Sequence, residues 1–277
     1  FCRFDEVGEL EPVMTEWMRS LKAVAARAEE AQGRRKRIYI HIPAQPVAWK
    51  MLGFDVPTWV EEKLTDGLLC QTGLRHGPVD HDLDLTDARN LADGNDCRVF
   101  AAFRNLLGRQ LDRYATPPMV WAAAANAYAQ GADGFAFTDA HTTPNGWPWT
   151  DTEYGTLRLL GNPEMLATAN KIYRARSETA TLTKAHNFEP ATVPTLPVDL
   201  LEGEPVTVQI RISDELHRWH NDGKLDSVNL RVRITGIEPP LNKVRVELNG
   251  KELPADEARD FMGEKEEKGL RKIMDKK

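Results

Sequence analysis

Residues 129–141 read AQGADGFAFTDAH. Gly131 ends a helical run, an apolar run follows, and Asp139 and His141 come directly after it. The pattern predicts a buried strand over 133–139, entered from the preceding helix and delivering ionisable groups where it ends. The same alternation recurs on either side. Strand-like runs lie at 37–44, 66–71 and 97–103, and helical runs at 11–31, 56–64, 85–92, 117–130, 152–160 and 162–176. Val13, Trp17, Leu21, Val24 and Ala28 recur at spacings of three and four, and are expected to form the buried stripe of the first helix. Asp55, Thr86, Thr116 and Asp151 stand where helix caps belong.

Strands alternating with helices imply a parallel sheet with helical crossovers. An open doubly wound sheet and an eight-stranded barrel compete. No Gly-rich phosphate loop follows any strand, which weakens the dinucleotide-binding version. The long connections at 72–84, 104–116 and 140–150 suit a barrel, whose chemistry sits in the loops after its strands. Four strand–helix units and a leading helix are half of such a barrel. The expectation is therefore an α/β fold, the C-terminal half of a (β/α)8 TIM barrel over 1–176. Phe1–Phe4 would close the strand before it, so the chain is read as a fragment starting mid-barrel.

After residue 177 the period changes to two. VTVQIRIS (206–213), VNLRVRIT (228–235) and KVRVELNGKEL (243–253) alternate apolar and polar residues, and Asn249-Gly250 is a hairpin signal. A small all-β, sandwich-like domain is expected over 177–255, followed by a charged, weakly helical tail over 256–277.

The chain has 277 residues, 41% hydrophobic and 28% charged, with a net charge of −6. That balance argues against nucleic acid or an anionic membrane as a partner, and no apolar run reaches spanning length. Cys2, Cys70 and Cys97 form neither a disulfide framework nor a zinc motif. No metal or cofactor is expected, no protein partner is indicated, and localisation stays open.

FCRFDE (1–6), IHIPAQPVAWKMLGFDVPTWVEEKLTDGLL (40–69), RVFAAF (98–103) and AAAANAYAQGADGFAFTDA (122–140) occur in that order. In order and spacing the chain resembles the second half of glycoside-hydrolase-like, family-10-like TIM barrels of environmental bacteria, over roughly residues 1–253. The fourth strand of those barrels typically ends in Phe-x-Arg-x-Pro; Phe1 and Arg3 match, and Asp5 stands in place of Pro. A C-terminal β-sandwich ending in an LNG hairpin is matched by Leu248-Asn249-Gly250. The resemblance implies a carbohydrate-active protein with a poly- or oligosaccharide substrate.

Barrel chemistry sits at the carboxyl ends of strands. Glycoside hydrolysis usually needs two carboxylates flanking the scissile bond. The strand ends carry His41 and Gln45, Gln71, and Arg104 and Asn105, with no carboxylate among them. The family places a glutamate on the seventh strand, and this chain does not. A catalytic pair would have to come from Asp139, Asp5 or Glu6, or from upstream. Asp139 either faces substrate or caps the next turn. Arg3 either orients an oxygen or forms a structural ion pair. His41, Gln71, Arg104 and His141 are candidates for bonding sugar hydroxyls. Trp147 and Trp149 offer aromatic faces for a sugar ring, or pin the loop they sit in; Trp49 is a weaker candidate of the same kind. The run HGPVDHDLDLTD (76–87) is read as a solvated loop. His217 and His220 are read as a surface pair.

Overall fold

The computed structural model describes residues 7–73, 78–107, 114–138, 148–175, 196, 198–232, 234 and 244–253. The chain separates into two compact units, 1–225 and 226–277. The boundary expected at 176/177 falls at the edge of 176–195, outside the described residues.

In the first unit α1 (Val7–Gln32) precedes β1 (Tyr39–Pro43), α2 (Pro46–Met51), α3 (Val56–Glu61) and β2 (Gly67–Gln71). Then come α4 (Thr86–Ala92), β3 (Arg98–Phe103), α5 (Pro117–Ala129), β4 (Gly134–Phe137), α6 (Asp151–Leu160), α7 (Pro163–Ala167) and α8 (Leu216–Asn221). The four strands form one parallel sheet in the order β1-β2-β3-β4. The α/β reading therefore holds.

Strand alternation sorts the sheet residues into two faces. Ile42, Leu68, Cys70, Val99 and Ala101 are fully buried against Met18 of α1, Val56, Trp59 and Val60 of α3, Ala88 of α4 and Ala127 of α5. Phe103 packs with Val120, Ala123 and Ala124 of α5, and with Leu160 and Leu166 of α6 and α7. All of these strand residues share one face, so the helices cover one side of the sheet. The opposite face carries Tyr39 and His41, which are exposed, and Leu69, Phe100 and Ala136, which are half-buried. Toward the carboxyl ends of the strands this face is closed at Pro43, Gln71 and Ala102. Aromatic rings and glycines alternate across it. The Tyr39 ring lies over Gly67, where a Cβ would come within 2.7 Å of it, and the Phe100 ring lies over Gly134, at 2.9 Å. The two rings meet edge-on at 5.6 Å.

At the amino end of the sheet Thr65, Asp66 and Asp133 are engaged. Thr65 Oγ1 bonds the Ile38 and Gly67 backbone. Asp133 accepts from Arg89 and from the Val99 N–H. Buried Asp66 accepts from the Ile38 N–H at 2.8 Å, Arg35 at 2.8 Å and Lys22 at 3.4 Å. Burial pushes the Asp66 carboxyl up, but those three donors outweigh it and hold it below the usual carboxylate range. Its stabilisation is therefore complete above the unfolded value, about 3.9, and lost as pH falls through the folded value. Asp66→Asn is expected to lower the urea midpoint at pH 7 and to flatten its fall below pH 4. An unchanged acid limb in the variant would remove Asp66 as its source.

Three local expectations are corrected. In α1, Val13, Trp17 and Val24 are 62%, 55% and 51% exposed, while Met18 is buried and Met14 and Leu21 pack beside it. The bond from Trp59 Nε1 to Thr15 Oγ1 at 2.9 Å fixes the helix on this neighbouring stripe. The cap of α6 is Thr150, not Asp151. Its hydroxyl accepts from the Glu153 N–H while Glu153 accepts from the Thr150 N–H, a reciprocal capping box. The helix expected over 162–176 ends at Ala167, where Lys171 Nζ bonds the Ala167 carbonyl.

Residues 206–213 and 228–232 form no strand. Half-buried strands draw their stability from cross-strand pairs and a covered apolar face. Here Val206, Val208, Ile210, Val228, Leu230 and Val232 all stand exposed. The segment 211–214 is instead tied to helices. Asn126 of α5 donates to the Arg211 carbonyl and accepts from the Ser213 N–H, and Lys171 pairs with Asp214. In the second unit the expected hairpin is present, β5 (Glu247–Leu248) against β6 (Lys251–Glu252). Asn249 and Gly250 both take positive φ, 52° and 80°, as its two-residue turn requires. Among the described residues no helix is long and apolar enough to cross a membrane.

Candidate functional site

Parallel strands finish at one end of their sheet, and the connections that follow them leave from that end. Counting by twos from the uncovered face gives Gln45 beyond β1, Gln71 at the end of β2, Arg104 beyond β3 and Thr138 beyond β4. Pro43 pairs with Gln71, and Phe103 pairs with Phe137 one residue below Arg104 and Thr138. Gln45, Arg104 and Thr138 thus make a last polar row, and Gln71 stands one row below it, level with Pro43, Ala102 and Ala136.

Gln71 and Arg104 are therefore placed on one face at the carboxyl end of the sheet, one row apart. His41 is on the same face but lower, in the middle of β1 and paired with Leu69. The strand runs on to Pro43, so His41 does not stand at its end. Trp149 is half-buried and meets Tyr154 of α6 edge to ring at 5.6 Å. Arg3, Asp5, Glu6, Asp139, His141 and Trp147 lie outside the described residues. Trp49 is a core residue, 4% exposed, with Nε1 donating to the Pro43 carbonyl at 2.6 Å. His217 and His220 are exposed on α8.

The polar atoms of this end differ from those of the amino end. Gln45 Oε1, Asn105 Oδ1 and Thr138 Oγ1 are shut off from solvent and have no hydrogen-bond partner among the described residues. Each lies within two residues of the end of a different strand. A buried polar group without a partner costs about 1–3 kcal/mol, and native chains carry few of them. The sequence signal for these three was available: a neutral polar residue one or two places past each apolar run. Gln45 and Asn105 stand among the strand-end residues read from the sequence, without an assigned role, and Thr138 carries the same signal unnoticed.

The loop after β2 is not the solvated segment expected. Asp80 and His81 are buried. Asp80 accepts from Thr72 Oγ1 and from the Asp82 N–H. His81 Nδ1 accepts from the Arg174 N–H at 2.6 Å, which leaves Nε2 to donate to the Met119 carbonyl at 2.9 Å. Burial holds the His81 ring below its usual range, so it is neutral. Thr72 follows Cys70 on the helix-covered face, so Asp80 belongs to the packing behind the sheet and not to the polar row.

Described residues of the polar row include no carboxylate. No group of three or more His, Cys, Asp or Glu among the described residues could hold a metal ion. Burial pushes the Cys70 thiol up to about 12 and the Cys97 thiol to about 11, which removes both as nucleophiles at neutral pH. A groove of about 330 Å³ lies between α1 and the start of α3, lined by Glu11, Thr15, Arg19 and Asp55. It is on the outer helical layer, and Thr15 and Arg19 are already engaged, with Trp59 and Glu62. A scan against protein-family models finds no match, and no curated protein matches the chain.

Proposed function

We propose that this chain is a carbohydrate-active protein, a glycoside-hydrolase-like barrel of which the four-stranded sheet is the C-terminal half, followed in the chain by a β-sandwich-like domain. The observation that carries the reading is the polar row at the carboxyl end of the sheet. It sits above aromatic and aliphatic residues and contrasts with an amino end where Thr65, Asp66 and Asp133 are all paired. That asymmetry is what a barrel enzyme needs, chemistry at one end and stability at the other. The sequential strand order supports the same reading. Crossovers of one hand without a reversal put every helix on one face, and a closed barrel fills the other. Large and small side chains alternating across neighbouring strands, as Tyr39, Gly67, Phe100 and Gly134 do, suit the layered interior of such a barrel.

The reaction proposed is hydrolysis of a glycosidic bond in a poly- or oligosaccharide by two carboxylates, with Asp139 and Asp5 or Glu6 as the acids. Arg3, His41, Gln71, Arg104, His141, Trp147 and Trp149 would hold the sugar. A second reading, a glycan-binding barrel without catalysis, is favoured by the absence of any carboxylate from the described polar row. Asp139→Asn separates the two. For an enzyme it should lower kcat a hundredfold or more while KM changes little. For a binder, the wild type captures a glycan and releases no reducing ends from it. Neither capture nor cleavage across plant, algal and bacterial glycans would sink both readings.

A further inference from the structure

We draw no further inference here: the strongest candidate, the sheet face that no helix covers together with the exposed stripe of Val13, Trp17 and Val24 on α1, carries nothing because nothing among the described residues shows what covers it.

Discussion

Lys171→Met is expected to destabilise the 1–225 unit by about 3–5 kcal/mol, the cost of breaking a buried ion pair from one side. The Lys171 side chain is 2% exposed, and its ammonium has three donors and three uses. It pairs with Asp214 at 2.9 Å and bonds the carbonyls of Ala167 and Ala169 at 3.1 Å each. Methionine fills the same channel with a thioether, leaving Asp214 charged and enclosed and the two carbonyls at the end of α7 without a donor. The double change Lys171→Met with Asp214→Leu should recover much of the loss, because no uncompensated charge remains. Urea unfolding of both variants against wild type is the measurement. A single variant within 1 kcal/mol of wild type would show that Asp214 finds water or another cation.

Asn126→Ala is the second large effect, about 3 kcal/mol or more, since three hydrogen bonds of one buried amide are lost together. Asn126 lies on α5 and is almost completely buried. Its Nδ2 donates to the His81 carbonyl at 2.8 Å and the Arg211 carbonyl at 2.9 Å, and its Oδ1 accepts from the Ser213 N–H at 3.1 Å. One side chain thus joins the loop after β2, the helix after β3 and the segment before α8. Beyond the fall in midpoint, limited proteolysis should cut the variant near 206–213 at a protease concentration that leaves wild type whole. Equal cleavage of both would mean that the other anchors suffice. Lys171 and Asn126 grip neighbouring stretches of the same segment, so their energies should not add.

What the sequence made legible follows from where its energy is local. The four strands are short apolar runs bounded by turn residues, and all four were found within one or two residues of their ends. Asp55 caps α3, accepting from the Thr58 N–H at 3.2 Å, because a cap depends on three consecutive positions. The Asn249-Gly250 turn depends on two. The burial of α1 could not be read in the same way. Val13, Trp17 and Val24 lie beside Met14, Met18 and Leu21 on the helix, two apolar stripes one residue apart, and the choice between them was made by Thr15 meeting Trp59 across 44 positions of sequence. The polar row was half legible. Gln71 and Arg104 stand at strand ends as expected, one row apart, whereas His41 lies two residues inside the end of β1. The loop at 76–87 looked solvated because it is acidic. Its burial comes from Asn126, Met119 and Arg174, none of which is near it in the chain. The period-two runs at 206–213 and 228–235 show the converse. Alternation states what a strand could bury, and pairing decides whether it becomes one.

The glycines under the aromatic rings also govern how the sheet finds its pairing. A strand that slips by one residue turns its apolar side outward, and the core rejects it. A slip by two keeps every residue on its proper face, so burial alone does not detect the error. In β2 such a slip would bring Leu69 or Thr65 under the Tyr39 ring in place of Gly67, where even a single Cβ would stand 2.7 Å from the ring. In β4 the corresponding slip would bring Ala136 or Ala132 under Phe100 in place of Gly134. Each glycine weakens its strand through lost conformational entropy. In return, each ring and glycine act as a key and its slot, and the sheet has a proofreading step against the one misalignment that its hydrophobic pattern would accept.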